Sequence, residues 1–191
     1  MPDVAAIAAR VRRAALDQPT TLGDGDCEAL RPGWIGQPTN TVTSFAYVGV
    51  GGWLTARATR GPRQQRRGAL AYAAATAVAG AGSVAYHGPQ FAGAEFFHDA
   101  PIVAVAGIGA AVPLWRRFRG RTPLPGWSAP LGVAMAATGA VAGAAYLAGR
   151  TSSPCCRPNS LLQFHGLWHV GTAAVVGMWG AAVWAAEDDD G

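Results

Sequence analysis

The chain has 191 residues, of which 50% are hydrophobic and only 14% are charged. An ordinary soluble domain carries roughly a quarter of its residues as charges, so this composition argues against a soluble globular protein. The net charge of +4 comes from fifteen arginines and eleven acids, with no lysine. The length favours one domain, and we expect no nucleic-acid partner.

The N-terminal segment, residues 1–38, is predicted to lie outside the membrane core. Val4, Ile7, Ala8, Val11 and Ala15 fall at helical spacing, which favours an amphipathic helix lying on the membrane surface. The apolar run is short and three arginines interrupt it, so we do not expect a signal peptide.

Five apolar windows follow, each close to the ~20 residues that a membrane-spanning helix needs. They are 39–56, 68–88, 94–115, 130–148 and 160–186. None shows the polar stripe of a soluble amphipathic helix, although a soluble Ala-rich bundle is the alternative. We expect an all-α integral membrane protein, a compact bundle of about five transmembrane helices at 39–186.

The connections between the windows predict the orientation of the chain. Residues 57–67 carry five arginines, 116–121 carry four, and 88–93 carry none. Because basic loops stay on the cytoplasmic side, we expect the N-terminus outside and the acidic tail, 187–191, in the cytoplasm. A plasma membrane of bacterial type is the expected location, with the site described next toward the outer side.

Ionisable residues occur in three of the windows, all at the predicted outer end. His87 closes the second window, His98 and Asp99 open the third, and His165 and His169 open the fifth. Such groups inside a span are costly unless they are paired or functional. Their common depth therefore predicts a site.

The spacing of these residues indicates a metal site. His165 and His169 are i and i+4, a spacing that lets two histidines share one ion, and a third histidine would complete the three-ligand pattern of catalytic zinc. Ser83 and His87 are also i and i+4. Hydrogen bonding between helices and haem binding are the alternatives. Glu95 is read as an interfacial residue at a helix start, or else as a partner of a ligating histidine.

The ordered set of motifs resembles the alkaline ceramidase family, and through it the CREST superfamily of membrane hydrolases. The motifs are SVAYH (83–87), HDAP (98–101) and HGLWH (165–169), preceded by GDGDCE (23–28) and NTVTS (40–44). Together they cover most of the chain in the order that the family has.

The resemblance implies a function and a role for each residue. His87, His165 and His169 would ligate Zn²⁺, Asp99 would be the general base, and Ser83 would stabilise the oxyanion. The chain would then be a zinc-dependent intramembrane hydrolase that uses a metal-activated water. Its substrate would be a lipid from the membrane, cleaved at the amide bond of a ceramide-like molecule.

The chain also departs from the family. The family has seven helices where five are predicted here, the shortfall lying between Asp99 and His165. Counted from Ser83, the family's aspartate position falls on His98, but we assign the base to Asp99 because a carboxylate is the better proton acceptor for such a water.

Two further expectations concern the N-terminal segment. The family's calcium site would fall on Asp24, Asp26 and Glu28, whose oxygens suit Ca²⁺, but Leu30 and Gln37 stand where further ligands are expected, so Ca²⁺ is not favoured. The three cysteines lie on the predicted outer, oxidising side. We expect Cys27 to bond either Cys155 or Cys156, a bridge that the resemblance also implies; three free thiols are the alternative.

Two other functions remain open at this point. The same scaffold could serve as a receptor-like or lipid-sensing protein with a structural metal. Alternatively, the histidines could handle haem or metal ions without hydrolysis.

Overall fold

The computed structural model describes residues 22–61, 63–120 and 126–185, which form five α-helices and no β-strand apart from an isolated bridge between Asp26 and Arg150. The predicted interfacial helix near the N-terminus and the acidic tail lie outside the described residues. In chain order the helices are α1 (Pro38–Arg60), α2 (Arg63–His87), α3 (Ala94–Phe118), α4 (Ala129–Ala148) and α5 (Phe164–Val183).

The helix ends follow from local sequence. Pro38 stands in the first turn of α1, where its missing N–H costs nothing. The Gly88–Pro89 pair ends α2 directly after His87. Gly93 precedes α3 at a φ of 92°, a left-handed conformation that glycine adopts without strain. Ser128 caps α4, its hydroxyl accepting a hydrogen bond from the Leu131 amide at 3.3 Å.

Helix α5 is the centre of the bundle, because it packs against each of the other four helices. Glycines allow the close packing: a Cβ on Gly180 would lie 2.9 Å from both Leu54 and Tyr72, and one on Gly51 would lie 2.7 Å from Ala77. Small residues at such crossings are typical of membrane helix packing. α1 also packs on α2, and α2 on α3, whereas α3 and α4 make no packing contact along their described residues.

Four of the helices, α2 to α5, have the length and apolar composition to cross a membrane. The most apolar stretches of α3 and α4 bury only 11% of their residues inside the bundle, so large apolar faces point outward. This is the architecture of a helical multi-pass membrane protein. The predicted first window corresponds to α1, which is long enough but not apolar enough to count among these four helices. Its first turns contain the buried polar residues Asn40, Thr41 and Ser44.

Candidate metal centre

Three buried histidines meet at one end of the bundle. His87 is the last residue of α2, and His165 and His169 lie on one face of the first two turns of α5. One ring nitrogen from each lies within 4.8 Å of those of the other two. Across residues 22–61, 63–120 and 126–185, no other three acidic, histidine or cysteine side chains meet in this way. The structure thus brings together the three predicted ligands.

The hydrogen bonds of His87 fix its tautomer. Its Nδ1 lies 2.6 Å from Gln37 Oε1, while the amide nitrogen of Gln37 donates to the carbonyls of Gly23 and Glu28 at 2.8 and 2.9 Å. The amide oxygen therefore faces His87 and accepts from its Nδ1–H. Nε2 of His87 is buried without a hydrogen-bond partner among the described residues. An orphaned imidazole lone pair of this kind fits a metal ion.

His169 is oriented in the same sense. Its Nδ1 lies 3.1 Å from Thr43 Oγ1 and 3.3 Å from Ser44 Oγ. Both hydroxyls have carbonyl acceptors one turn back, on Thr39 at 2.9 Å and Asn40 at 2.6 Å. They can therefore accept a hydrogen from Nδ1, which leaves the lone pair on Nε2 of His169.

His165 contacts an acid that the sequence had placed elsewhere. Its Nδ1 lies 3.1 Å from Asp26 Oδ1, and the same oxygen accepts a hydrogen bond from Arg150 Nη1 at 2.8 Å. Asp26 is 5% exposed. Burial raises the pKa of this carboxyl to about 6, although the charge of Arg150 acts in the opposite direction. Nδ1 of His165 has no hydrogen-bond partner among the described residues, so the contact is one of proximity. It places a carboxylate beside the ring, where the histidine ligands of metal sites often have one.

The predicted general base does not face the histidines. Asp99 is 64% exposed and is absent from the lining of the cavity described below, whereas His98 lines it. The reason is helical phase: the α3 residues at the cavity include His98, Ile102, Val105 and Gly109, spaced by three or four, and Asp99 points away from that face. His98 Nδ1 lies 2.6 Å from Asp99 Oδ1, so the two form a pair.

Ser83 and Glu95, the other two predicted residues of this region, lie in different environments. Ser83 is 3% exposed, lines the cavity and is hydrogen-bonded to Ser44 Oγ at 2.8 Å. Glu95 is exposed in the first turn of α3, where an acid complements the helix dipole. That position agrees with an interfacial residue at a helix start.

The three acids predicted as Ca²⁺ ligands lie in different parts of the structure. Asp24 is exposed, Asp26 lies at His165, and Glu28 is buried at the start of α1. There the Glu28 carboxylate accepts hydrogen bonds from the amides of Thr39 and Asn40, both at 2.8 Å. The described residues therefore do not gather these carboxylates around one point.

A disulfide fastens the N-terminal strap, residues 22–37, over the histidines. Cys27 is bonded to Cys156, and Cys155 is an exposed free thiol. Main-chain hydrogen bonds from Cys27 to Gly149 at 2.7 Å and from Ala29 to Pro158 at 3.0 Å add to the attachment. The strap thereby carries Asp26 and Gln37 to the histidines.

A cavity of about 810 Å³ extends from the histidines into the bundle. Both His165 and Trp179 line it, and their separation of fourteen positions spans about 21 Å of helix. Below the histidines its walls are mainly apolar and aromatic, including Tyr72, Val105 and Trp179. Residues of α3 and α4 line the same cavity, and these two helices do not pack on each other.

Sequence reasoning missed three residues of this site: Gln37, Arg150 and the role of Asp26. None carries a local signal, because each reaches the histidines from a part of the chain remote in sequence. In comparisons with models of protein families, with curated proteins and with solved structures, no match to the chain is found. The resemblance to ceramidases therefore stands on the ordered motifs alone.

Proposed function

We propose that this protein is a metal-dependent hydrolase of membrane lipids, cleaving an acyl amide of the ceramide type. One observation carries the proposal: three buried histidines stand at the head of a long apolar cavity. His87 and His169 have hydrogen-bonded Nδ1 atoms, and Nε2 of His87 has no partner among the described residues. A cavity that is polar at one end and apolar along its length suits a lipid whose scissile bond lies near its head.

The donor set fits zinc. Three neutral imidazoles with one open position are the ligand pattern of catalytic zinc, and His87, His165 and His169 would hold the ion. When bound, Zn²⁺ supplies a Lewis acid that polarises a carbonyl and makes water a nucleophile near neutral pH. The remaining chemistry falls to the surrounding side chains.

The His98–Asp99 pair is the proton carrier in this proposal. Asp99 accepts the Nδ1–H of His98, which leaves the basic Nε2 on a ring that lines the cavity. The ring centroids of His98 and His87 are 6.2 Å apart, and both rings line the cavity, so a substrate in the cavity beside them would lie within reach of both. His98 takes a proton from the attacking water and returns it to the leaving amine, and Asp99 holds the ring in the required tautomer.

Ser83 provides a hydroxyl beside the same space. Because the Ser44 hydroxyl donates to the Asn40 carbonyl, Ser83 donates to Ser44 Oγ. Rotation about the Ser83 C–O bond would exchange that hydrogen bond for one to a developing oxyanion. The mainly apolar wall of the cavity holds an acyl chain, and the unpacked sides of α3 and α4 let it enter from the lipid phase.

The geometry disfavours haem held by the pair on α5. The rings of His165 and His169 are 4.6 Å apart on one helix face, whereas two axial ligands must stand on opposite sides of the macrocycle. A lipid sensor with a structural metal would use the same residues, so only a measurement of lipid hydrolysis distinguishes such a sensor from an enzyme.

The test combines a panel of ceramides and other acylated lipids with matched variants of the full chain. We expect amide hydrolysis by the wild type and its loss in His98→Gln, with bound metal unchanged. Glu95→Gln, an exposed change one turn from Asp99, is the control. If the zinc-loaded wild type and His98→Gln are equally inert on every lipid, the hydrolase proposal fails and the sensor remains.

A further inference from the structure

A second cavity lies at the opposite end of the bundle from the histidines. It has a volume of about 330 Å³ and is enclosed by the end of α1, the start of α2 and the end of α5. Its lining includes Leu54, Arg57, Arg60, Arg66 and Trp184. This is the end predicted to face the cytoplasm, and the proposed hydrolase does not use it.

The charge of this cavity is entirely positive among the described residues. Three arginines line it and no carboxylate does. The described acids, Asp24, Asp26, Glu28, Glu95 and Asp99, all belong to the strap or to the start of α3, at the far end of the molecule. Guanidinium groups gathered without a counter-charge attract an anion.

Hydrogen bonding points the same way. Arg66 Nη2 donates to the carbonyls of Thr59 at 3.0 Å and Gly61 at 3.4 Å, which holds the guanidinium in place. Its Nε is buried with no acceptor, and the amide of Gln65 is likewise buried with its oxygen unsatisfied. Rotating the Gln65 side-chain amide by 180° would exchange its oxygen for its NH₂ group at that position. The wall of the cavity therefore offers one fixed, buried donor that lacks an acceptor among the described residues, the Nε–H of Arg66.

The residues around this cavity indicate its depth in the membrane. Trp184 follows the last turn of α5, and Arg57 lies 5.3 Å from the ring centre of the exposed Trp53. Tryptophans and arginines at helix ends mark the level of the lipid head groups. Leu54 contributes an apolar side chain to the lining of the cavity.

We propose that this cavity binds the phosphate head group of an anionic phospholipid, held by Arg57, Arg60 and Arg66. Basic pockets between helices at the cytoplasmic surface suit such head groups. The volume is at the low end for ligand sites, so it accommodates a head group while the acyl chains remain in the bilayer.

The test is native mass spectrometry of the purified full chain with phosphatidylglycerol or with phosphatidylcholine of the same acyl chains. We expect the anionic lipid to be retained and the zwitterionic lipid to be lost. Arg57→Gln and Arg60→Gln should each weaken retention roughly fivefold. Arg119→Gln is the matched control, because Arg119 is at the same end but stacks on Trp115 outside the cavity.

Further outcomes decide the proposal. Equal retention of both lipids, or equal losses in Arg60→Gln and Arg119→Gln, overturns it. Displacement of the lipid by millimolar inorganic phosphate alone also overturns it, because the site would then take free phosphate. Neutralising the acids at 187–190 should leave the lipid preference intact or strengthen it. A preference that appears only after this change would mean that the tail competes for the arginines, and the proposal fails.

Discussion

At the residue scale, the proposed chemistry depends on which nitrogen of each histidine carries hydrogen. Gln37 accepts from His87, and the hydroxyls of Thr43 and Ser44 accept from His169. These partners leave the Nε2 lone pairs for a metal. Such partners of metal ligands are worth 10–100-fold in metal affinity.

Gln37 provides a direct test of this orientation. Gln37→Leu removes the acceptor for His87 Nδ1, so zinc affinity, measured by competition with a chelating dye, should fall roughly 10–100-fold. Gln37→Glu keeps an oxygen acceptor for Nδ1 but loses the donors to the Gly23 and Glu28 carbonyls, so it should lose less affinity than Gln37→Leu. Equal zinc affinity in all three proteins would show that Gln37 does not orient the ligand.

His98 and Asp99 are expected to differ in the size of their effects. His98→Gln removes the proton carrier and should lower kcat roughly 10²–10⁴-fold. Asp99→Asn leaves the ring in place and keeps an oxygen that can accept the Nδ1–H, so it should cost less than His98→Gln. The measurement is kcat on the best amide of the lipid panel, with Glu95→Gln as control. A larger loss in Asp99→Asn than in His98→Gln would return the base to Asp99.

Sequence spacing identified the histidines but not their surroundings. The i, i+4 pair on α5 needs only helical periodicity, which is local. The choice between His98 and Asp99 depends on the phase of α3 after the turn at Gly93, which sequence alone does not determine. Asp26 contacts Arg150 across 124 positions of chain, and no local pattern encodes that distance.

At the element scale, the apolar windows located all five helices. The helices extend beyond the windows chiefly at the basic ends: α1 continues to Arg60 and α3 to Phe118, because arginines complement the dipole at a helix C-terminus. The strap was harder to predict, since it has no regular secondary structure. Hydrogen bonds, the cap on α1 and one disulfide hold it in place.

The disulfide should contribute to stability because it closes a long loop. Cys27 and Cys156 are 129 positions apart, and removing such a crosslink typically lowers the free energy of unfolding by about 2–5 kcal/mol. We expect Cys156→Ser to lower the melting temperature in detergent. Cys155→Ser changes the adjacent free thiol and should have little effect. Equal melting of both variants and the wild type would contradict the role given to the strap.

At the scale of the whole molecule, the open side between α3 and α4 is the distinctive feature. The family that the sequence resembles has two more helices, and the predicted shortfall lies between Asp99 and His165. In the structure, the two helices that follow Asp99 and precede His165 do not pack on each other, and both line the cavity. Under the proposed function, a long apolar substrate would approach the histidines through this side.

A bulky side chain placed part-way along the cavity should lower the hydrolysis of long-chain amides more than that of short-chain amides. Ala106 lines the cavity on α3, so Ala106→Trp should lower kcat/KM for a long-chain amide at least tenfold while sparing a short-chain analogue. Ala104 lies on the same helix, is exposed and does not line the cavity, which makes Ala104→Trp the matched control. Equal losses on both chain lengths would indicate that the chain does not occupy this cavity.

The central claim is that three histidines from two helices form one metal site. Metal analysis of the purified full chain tests it most directly, in wild type, His87→Gln and His169→Gln, with His98→Gln as control. We predict one zinc per chain in the wild type and in His98→Gln, and loss of zinc in the other two. Iron or copper in place of zinc, or full zinc retention in both His87→Gln and His169→Gln, would contradict the account.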